Sequence, residues 1–179
     1  MQQKKSQATN PKTVRHVKSE AIKALEQLAF ENLKNKFPSF PFHPKPKYND
    51  NTTNQLTKAV IAYIQLKGGQ AERVNSTGFM KDNRKNSTDI LGRTRSIGST
   101  KWIPGTGKTG TSDIHSVING KSVKIEIKCA ATADNKQSEG QIAYQKAIKA
   151  AGGIYLIVRT FQDFYLWLNE FCTENCKNS

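Results

Sequence analysis

Apolar residues recur at helical spacing in two stretches of the first third of the chain. From Val14 to Lys36 they fall every three or four positions, which predicts an amphipathic helix. A second helix is predicted through about Leu66, because residues 51–53 offer an N-cap and Gly68-Gly69 ends the pattern. The buried stripe of this second helix is predicted to consist of Leu56, Ala59, Val60, Tyr63, Ile64 and Lys67.

Shorter apolar patterns follow in the rest of the chain and predict strands and two more helices. Strands are predicted at Gln70–Thr77 and, as an apolar, buried and central strand, at Ile154–Val158. A helix is predicted from the capping box Ser138-x-x-Gln141 to Gly152-Gly153. A last helix begins at Thr160-x-x-Asp163, and its broad apolar surface is formed by Phe164, Leu166, Trp167, Leu168 and Phe171.

A long polar stretch from Gly78 to Thr109 shows no sustained apolar pattern. A loop of this length inside a domain is usually functional or disordered, and this one is rich in Lys and Arg. We predict a flexible segment that contacts DNA, with a short strand around Ile97–Ile103. Two interpretations of Trp102 stay open, stacking on a base or packing over the sheet.

Charge and composition divide the chain further. The 28 Lys and Arg residues exceed the 14 Asp and Glu residues, which gives a formal net charge of +14 and indicates a polyanionic partner. Half of this net charge lies in residues 1–49. We therefore predict a basic tail and helix over 1–36, a proline-rich linker over 37–51, a domain over 52–171 and a tail over 172–179. The first helix either docks by its apolar stripe or grips DNA.

The cysteine count and the hydropathy bear on the compartment. Three cysteines, an odd number without a C-x-x-C pair, predict reduced thiols in the cytoplasm. No apolar run approaches the roughly 20 residues that span a membrane, and no signal-peptide pattern opens the chain, so no membrane partner is expected.

A hairpin is predicted between Gly110 and Ala130, because Asn119-Gly120 is a strong signal for a type I′ turn. Pairing Ile118 with Lys121 sets the register and places Asp113 opposite Glu126. Since side chains alternate along a strand, Asp113, Glu126 and Lys128 share one face, and His115 shares it too. The carboxylates should lie about 5 Å apart at Cβ.

Two opposed carboxylates repel each other, so their presence needs a reason. One reason is a hard cation such as Mg²⁺, which takes one or two carboxylates and fills its shell with other oxygen ligands. A lysine beside such a site can orient a water molecule and stabilise the charge on a phosphate. The other interpretation is a solvated hairpin face with a simple Glu–Lys pair.

Asp113 followed by Glu126-x-Lys128 matches the motif of the PD-(D/E)xK nucleases. The larger order G-T-S-D, I-E-I-K, S-x-x-Q, A-G-G and an apolar strand resembles the VRR-NUC branch of that superfamily, in particular its short stand-alone members from phages and mobile elements. The resemblance covers about residues 52–171. It implies an α/β fold, a restriction-endonuclease-like mixed β-sheet flanked by helices, here with a basic N-terminal helical extension.

The resemblance also implies the roles of the site residues. Mg²⁺ or Mn²⁺ would be held by Asp113, Glu126 and the carbonyl of Ile127, while Lys128 and Gln141 would place the attacking water. Locally, Gln141 has an equal claim to be the capping-box residue of its helix. Family members often carry a glutamate on the first helix of the domain, where this chain has Thr52-Thr53-Asn54-Gln55 and no carboxylate.

The function implied is that of a metal-dependent endonuclease acting on branched or structured DNA. A homodimer is expected, with the apolar surface of the last helix as a candidate interface. The alternatives are an inactive DNA-binding module and a subunit of a larger nuclease. Arg73 and Asn75 share a strand face that is either a phosphate contact or an exposed edge. The full set of predicted DNA-binding residues is Arg73, Asn75, Arg93, Arg95, Lys101, Lys108 and Tyr144.

Overall fold

The computed structural model describes residues 18–74, 78–105, 110–130 and 136–176 and shows a mixed α/β chain. Its helices are α1 Glu20–Lys36, α2 Thr53–Leu66, α3 Glu139–Ala150 and α4 Phe161–Cys176. Its strands are β1 Gln70–Arg73, β2 Phe79–Asp82, β3 Lys85–Thr88, β4 Thr94–Ile97, β5 Thr100–Ile103, β6 Ile114–Ile118, β7 Lys121–Ile127 and β8 Ile154–Val158.

A four-stranded sheet with the order β1-β6-β7-β8 forms the centre of the molecule. β1, β6 and β7 pair in antiparallel fashion, whereas β8 pairs with β7 in parallel. Parallel neighbours need a crossover connection, and here the crossover contains α3. A strand at Ile154–Val158 is confirmed as β8. The prediction that this strand is buried and central is wrong, because β8 lies at the edge of the described sheet and only Tyr155 and Val158 are buried.

The core lies where three helices meet one face of this sheet. α1, α2 and α4 contribute to a single buried cluster together with the alternating apolar residues of β6 and β7. Burial of such side chains stabilises the fold by roughly 1.5–3 kcal/mol for each large residue. α3 contributes no buried residue. The buried residues that the sheet and the segment just after β7 contribute to the cluster are Ala71, Ile114, Ile118, Val123, Ile125, Ile127, Cys129 and Val158.

The first helix begins later than the sequence predicted. Lys18 and Ser19 are not helical, and the side chain of Ser19 accepts a hydrogen bond from the backbone N–H of Ile22 at 3.3 Å, which fixes the start of α1 at Glu20. The predicted start at Val14 lies outside the described residues. α2 begins as predicted, with Thr52 as its N-cap.

The apolar stripe of α1 is docked in the common core. Ile22 and Leu25 are completely buried and pack in the same cluster as Leu56 of α2 and Leu168 of α4. Docking, one of the two interpretations left open by the sequence, is therefore observed. The proline-rich segment 37–51 therefore connects two helices, α1 and α2, that share one core.

The last helix is also longer than predicted. α4 continues through Cys176, so the first residues of the predicted tail are helical. Most of its large apolar residues are in the core, including Phe161, Phe164 and Leu168, and Leu166 is the large one that stays half exposed. The apolar surface that we expected to be free for a dimer is thus largely used inside the chain. No helix in the described ranges is long and apolar enough to cross a membrane.

The predicted loop at Gly78–Thr109 is wrong for the residues that the structure describes. β2 pairs with β5 and β3 pairs with β4, and both pairings have the same register, in which opposed residue numbers have a constant sum. Asn83 N–H donates to the Ser99 carbonyl at 3.2 Å and bridges the two pairings. Residues 79–103 therefore form one two-stranded ribbon, which we call the β-arm. One short strand was expected around Ile97–Ile103. The structure has two strands there, β4, which ends at Ile97, and β5.

Candidate active site

The site is built on the β6–β7 hairpin, whose predicted register is confirmed. Asn119 has φ of 49° and Gly120 has φ of 73°, as a type I′ turn requires. Ile118 pairs with Lys121, and at the far end Ile114 pairs with Ile125. One residue beyond that last pair, the same register sets Asp113 opposite the position of Glu126.

Asp113 is tied to both neighbouring strands. Its Oδ2 accepts a hydrogen bond from the backbone N–H of Ile127 at 2.9 Å, and its carbonyl accepts one from the N–H of Val74 at 2.8 Å. The first bond crosses from the end of β6 to β7, next to Glu126. The carboxylate of Asp113 is therefore held beside Glu126 by the backbone itself and not by side-chain packing alone.

Glu126 is a buried carboxylate with three partners. Glu126 is only 2% exposed. The amide Nε2 of Gln141 donates a hydrogen bond to Oε1 of Glu126. The hydroxyl of Tyr155 lies 3.5 Å from Oε2, and the ammonium of Lys128 lies 3.6 Å from Oε1. Lys128 is itself only 4% exposed, so the pair is removed from solvent screening.

The electrostatics of this cluster disfavour a charge on Glu126. Burial, and secondly the negative charge of Asp113, raise the pKa of Glu126 from its ordinary 4.5 to about 7, although the charge of Lys128 acts in the opposite direction. The solvated hairpin face that the sequence allowed is not what forms. Two carboxylates and one ammonium are instead concentrated in a buried patch.

Gln141 completes the capping box of its helix and also contacts Glu126. Its Oε1 accepts from the N–H of Ser138 at 2.9 Å, while its own N–H donates to the Ser138 hydroxyl at 3.3 Å, which completes a capping box at the start of α3. At the same time its Nε2 donates to Glu126. Capping uses the oxygen of the amide and leaves the nitrogen for the site, so the two interpretations were compatible.

A glycine lets the segment before β6 approach the start of α3. Gly110 has φ of 84°, and a Cβ at this position would come within 2.2 Å of the carbonyl carbon of Gly140 and 2.6 Å of the backbone nitrogen of Gln141. Both the conformation and the close approach exclude a side chain. Three residues before Asp113, the backbone is thus pressed against the helix that supplies Gln141.

Tyr155 is a site residue that sequence reasoning missed. It was read only as a member of an apolar strand, yet its hydroxyl reaches Glu126. Burial, followed by the charge of Glu126, raises the pKa of this hydroxyl, so it stays protonated and able to donate. A tyrosine in an otherwise aliphatic strand was the available signal, because a buried hydroxyl needs a partner.

Tyr144 extends the polar cluster toward His115. Its ring packs edge-on against the ring of Tyr155 with centroids 6.2 Å apart, and its hydroxyl lies 3.4 Å from Nε2 of His115. Burial, and secondly the charge of Lys124, lower the pKa of His115. This histidine is therefore neutral at physiological pH.

The start of α2 supplies amide oxygens and a carboxylate. Oε1 of Gln55 and Oδ1 of Asn51 are buried without a hydrogen-bond partner among the described residues, whereas Asn54 is exposed. Asp50 lies just before the Thr52–Gln55 segment. Its Oδ2 accepts from the N–H of Phe161 at 3.4 Å, and Cys129 Sγ–H donates to its carbonyl at 3.4 Å. The turn before α2 therefore lies against the chain that follows Lys128.

The donor set fits a small hard cation held by few protein ligands. Mg²⁺ accepts one or two carboxylates and completes its shell with other oxygens, and Asp113 with Glu126 supplies such a pair. Burial, and secondly the charge of Asp113, raise the pKa of Glu126, and a cation bound between the two carboxylates would oppose this shift. No group of three or more His, Cys, Asp or Glu side chains that could hold a metal occurs among the residues described.

The predicted DNA-binding residues fall into two regions. Tyr144 lies at the polar cluster, and Arg73 is exposed at the end of β1, one strand from the hairpin. The others that the structure describes, Arg93, Arg95 and Lys101, are exposed on the β-arm, which is not paired with the central sheet. Asn75 and Lys108 lie outside the described residues.

Comparison with known proteins adds no assignment. No protein-family model matches the chain, and no curated protein matches it. The VRR-NUC resemblance stays a prediction that rests on the motif residues.

Proposed function

We propose that the chain is a metal-dependent DNA endonuclease of the VRR-NUC type, with a restriction-endonuclease-like fold. One observation carries the proposal. Asp113 just before β6 comes together with Glu126 of β7 and Lys128 just after it, and the last two are buried. Gln141 from a separate helix contacts Glu126. Repulsion between two carboxylates is a cost to the fold that a bound cation would offset.

Each residue has a defined task in this mechanism. Asp113, Glu126 and the carbonyl of Ile127 would hold Mg²⁺ or Mn²⁺, and the cation would neutralise charge on the phosphate as the phosphodiester bond breaks. Lys128, whose ammonium already lies 3.6 Å from Glu126, would orient a water molecule for in-line attack on the phosphorus. Gln141, whose amide nitrogen contacts Glu126, would help Lys128 to place this water.

The remaining features of the proposal concern substrate, assembly and compartment. The substrate would be branched or otherwise structured DNA, and the product would carry a 5′-phosphate. A homodimer would supply the two sites that cutting both strands of a junction requires. A reducing cytoplasm would be in keeping with Cys129 and Cys172, neither of which forms a disulfide among the described residues.

A plasmid-nicking assay tests the proposal. The purified chain should convert supercoiled plasmid to nicked and linear forms with Mg²⁺ or Mn²⁺ and not with EDTA. Glu126→Gln should abolish cleavage, whereas the exposed Glu139→Gln, which removes the same charge from α3, should cleave as the parent does. Cleavage that persists in Glu126→Gln would refute this site.

A second candidate is a basic DNA-binding module without catalysis. The lack of a third carboxylate, histidine or thiol beside Asp113 and Glu126 in the described residues favours it. In that case DNA binding would be retained while the parent chain fails to nick with either metal.

A further inference from the structure

The β-arm carries its unpaired positive charges on one face. Because the register sum is constant over the whole ribbon, odd-numbered residues of both strands share a face. Lys81 lies directly opposite Lys101, and Lys85 and Arg95 follow on the same face. All four side chains are exposed. We call this set the basic face of the β-arm.

No carboxylate of the β-arm, which the structure describes in full, offsets the basic face. The arm has two acidic residues, and both are engaged locally. Asp82, on the opposite face, forms a bidentate pair with Arg84, with Oδ2 2.7 Å from Nη2. Asp89 lies in the tip, where its Oδ2 accepts from Nε of Arg93 at 3.0 Å. Opposed lysines repel and weaken a hairpin, so the Lys81–Lys101 pair is unfavourable for the arm itself.

The tip of the β-arm presents two apolar side chains on a well-ordered turn. Oδ1 of Asp89 accepts from the N–H groups of Leu91 and Arg93, each at 2.9 Å, and Gly92 N–H donates to the Asp89 carbonyl at 2.9 Å. This turn holds Ile90 fully exposed and Leu91 70% exposed. Because the turn is held by its own hydrogen bonds, the exposed Ile90 and Leu91 contribute nothing to the core.

We propose that the β-arm is a DNA-binding device that lies in the minor groove of a duplex. The basic face contacts phosphates, and Ile90 and Leu91 of the tip press between base pairs. The ribbon strands span about 30 Å, close to one turn of B-DNA, at roughly 3.3 Å per residue. Apolar wedges on minor-groove proteins unstack base steps in this way. The choice of DNA rests on the proposed nuclease function, whereas the arm itself requires only a polyanionic duplex.

Two charge variants test the basic face, with binding to a 24-base-pair duplex measured by fluorescence anisotropy in EDTA. Lys81→Gln/Lys101→Gln removes the opposed pair and should leave the hairpin intact, since it removes a repulsion. Each lost phosphate contact lowers the slope of log K against log salt concentration by about 0.9. Losing two contacts should therefore flatten the slope by about 1.8. At 0.1 M salt the affinity should fall roughly 60-fold. The matched control is Lys58→Gln/Lys67→Gln, which removes the same charge from exposed positions on α2 and at its end.

A tip variant tests the wedge. Ile90→Ser/Leu91→Ser keeps Asp89 and Gly92 and therefore the turn. With 2-aminopurine placed at successive positions in the duplex, the parent should raise the fluorescence at one or two steps, because the reporter brightens when unstacked. The tip variant should lose that signal and bind more weakly, and its salt slope should be unchanged, since no charge was removed.

The binding and fluorescence measurements test the β-arm alone, because they involve neither metal nor DNA cleavage. An unchanged slope in the Lys81/Lys101 variant, or an equal loss in the Lys58/Lys67 control, would overturn the basic face. A 2-aminopurine signal that survives in the tip variant would overturn the wedge. If either arm variant changes the molar mass by light scattering, the arm contacts a second copy and the proposal fails. Loss of nicking in Glu126→Gln with duplex binding intact leaves the proposal standing.

Discussion

Replacing Glu126 by Gln should stabilise the metal-free protein at alkaline pH. The pKa of Glu126 rises from 4.5 to about 7 because the side chain is buried beside Asp113. A carboxyl group with a raised pKa holds its proton more tightly in the folded than in the unfolded chain. Stability is therefore lost as the pH increases from about 4.5 to 7, and above that range the ionised group is a constant penalty.

The size of the penalty follows from the two pKa values. Each unit of difference between the folded and unfolded pKa corresponds to about 1.36 kcal/mol. The penalty for ionised Glu126 is therefore at most roughly 3 kcal/mol. Gln is a neutral side chain of the same shape, and its oxygen can still accept from Gln141. For a chain of this size 1 kcal/mol shifts Tm by about 2–4 °C. Glu126→Gln should thus melt several degrees above the parent at pH 8.5 in EDTA and close to it at pH 5.

Thermal melting followed by circular dichroism at both pH values checks this expectation. Glu31→Gln, at an exposed position of α1, is the control for simple loss of a negative charge. Adding Mg²⁺ or Mn²⁺ at pH 8.5 should raise Tm of the parent and leave Glu126→Gln nearly unchanged, because a ligand bound only by the folded state stabilises it by mass action. A variant that is less stable than the parent at pH 8.5 would mean that the Lys128 ion pair outweighs burial, and the reasoning would be refuted.

Three further predictions concern catalysis and packing. Asp113→Ala and Lys128→Ala should each abolish nicking while duplex binding by anisotropy stays within a few-fold of the parent; normal cleavage by the Lys128 variant would contradict the mechanism. Gly110→Ala should lower the free energy of unfolding in urea by about 2 kcal/mol or more, and Gly152→Ala, which has a similar φ of 80° but open space, should cost only about 1 kcal/mol. Leu25→Ala should cost about 2–5 kcal/mol if α1 belongs to the core, and a change below 1 kcal/mol would place it outside.

The hairpin could be predicted from sequence because its determinants are local. Asn119-Gly120 permits one tight turn, and once that turn is set the period of two decides which residues face each other. The shared face of Asp113 and Glu126 follows without any knowledge of the rest of the fold. The contact of Gln141 could be suggested only by resemblance, because it depends on where the crossover helix lies.

The partner of Tyr155 and the docking of Gly110 could not be predicted in this way. Tyr155 reaches Glu126 only because β8 is parallel to β7, and Gly110 meets Gly140 across some 30 residues of intervening chain. Neither arrangement leaves a periodic signal. The β-arm was missed for another reason, since its strands are exposed on both faces and lack apolar alternation. Asp89 and Gly92 at the tip were the available turn signal.

The register of the hairpin also has a consequence for the order in which the chain folds. β6 and β7 are joined by two residues, so they can pair early, whereas β8 arrives only after a crossover that contains α3. The repulsion between Asp113 and Glu126 would then act before the folding transition state, while the burial of Glu126 beneath Tyr155 and Gln141 would come after it. Removing the charge of Glu126 should accordingly both speed refolding and slow unfolding, and the ratio of the two effects measures how much of the site exists when the rate-limiting barrier is crossed.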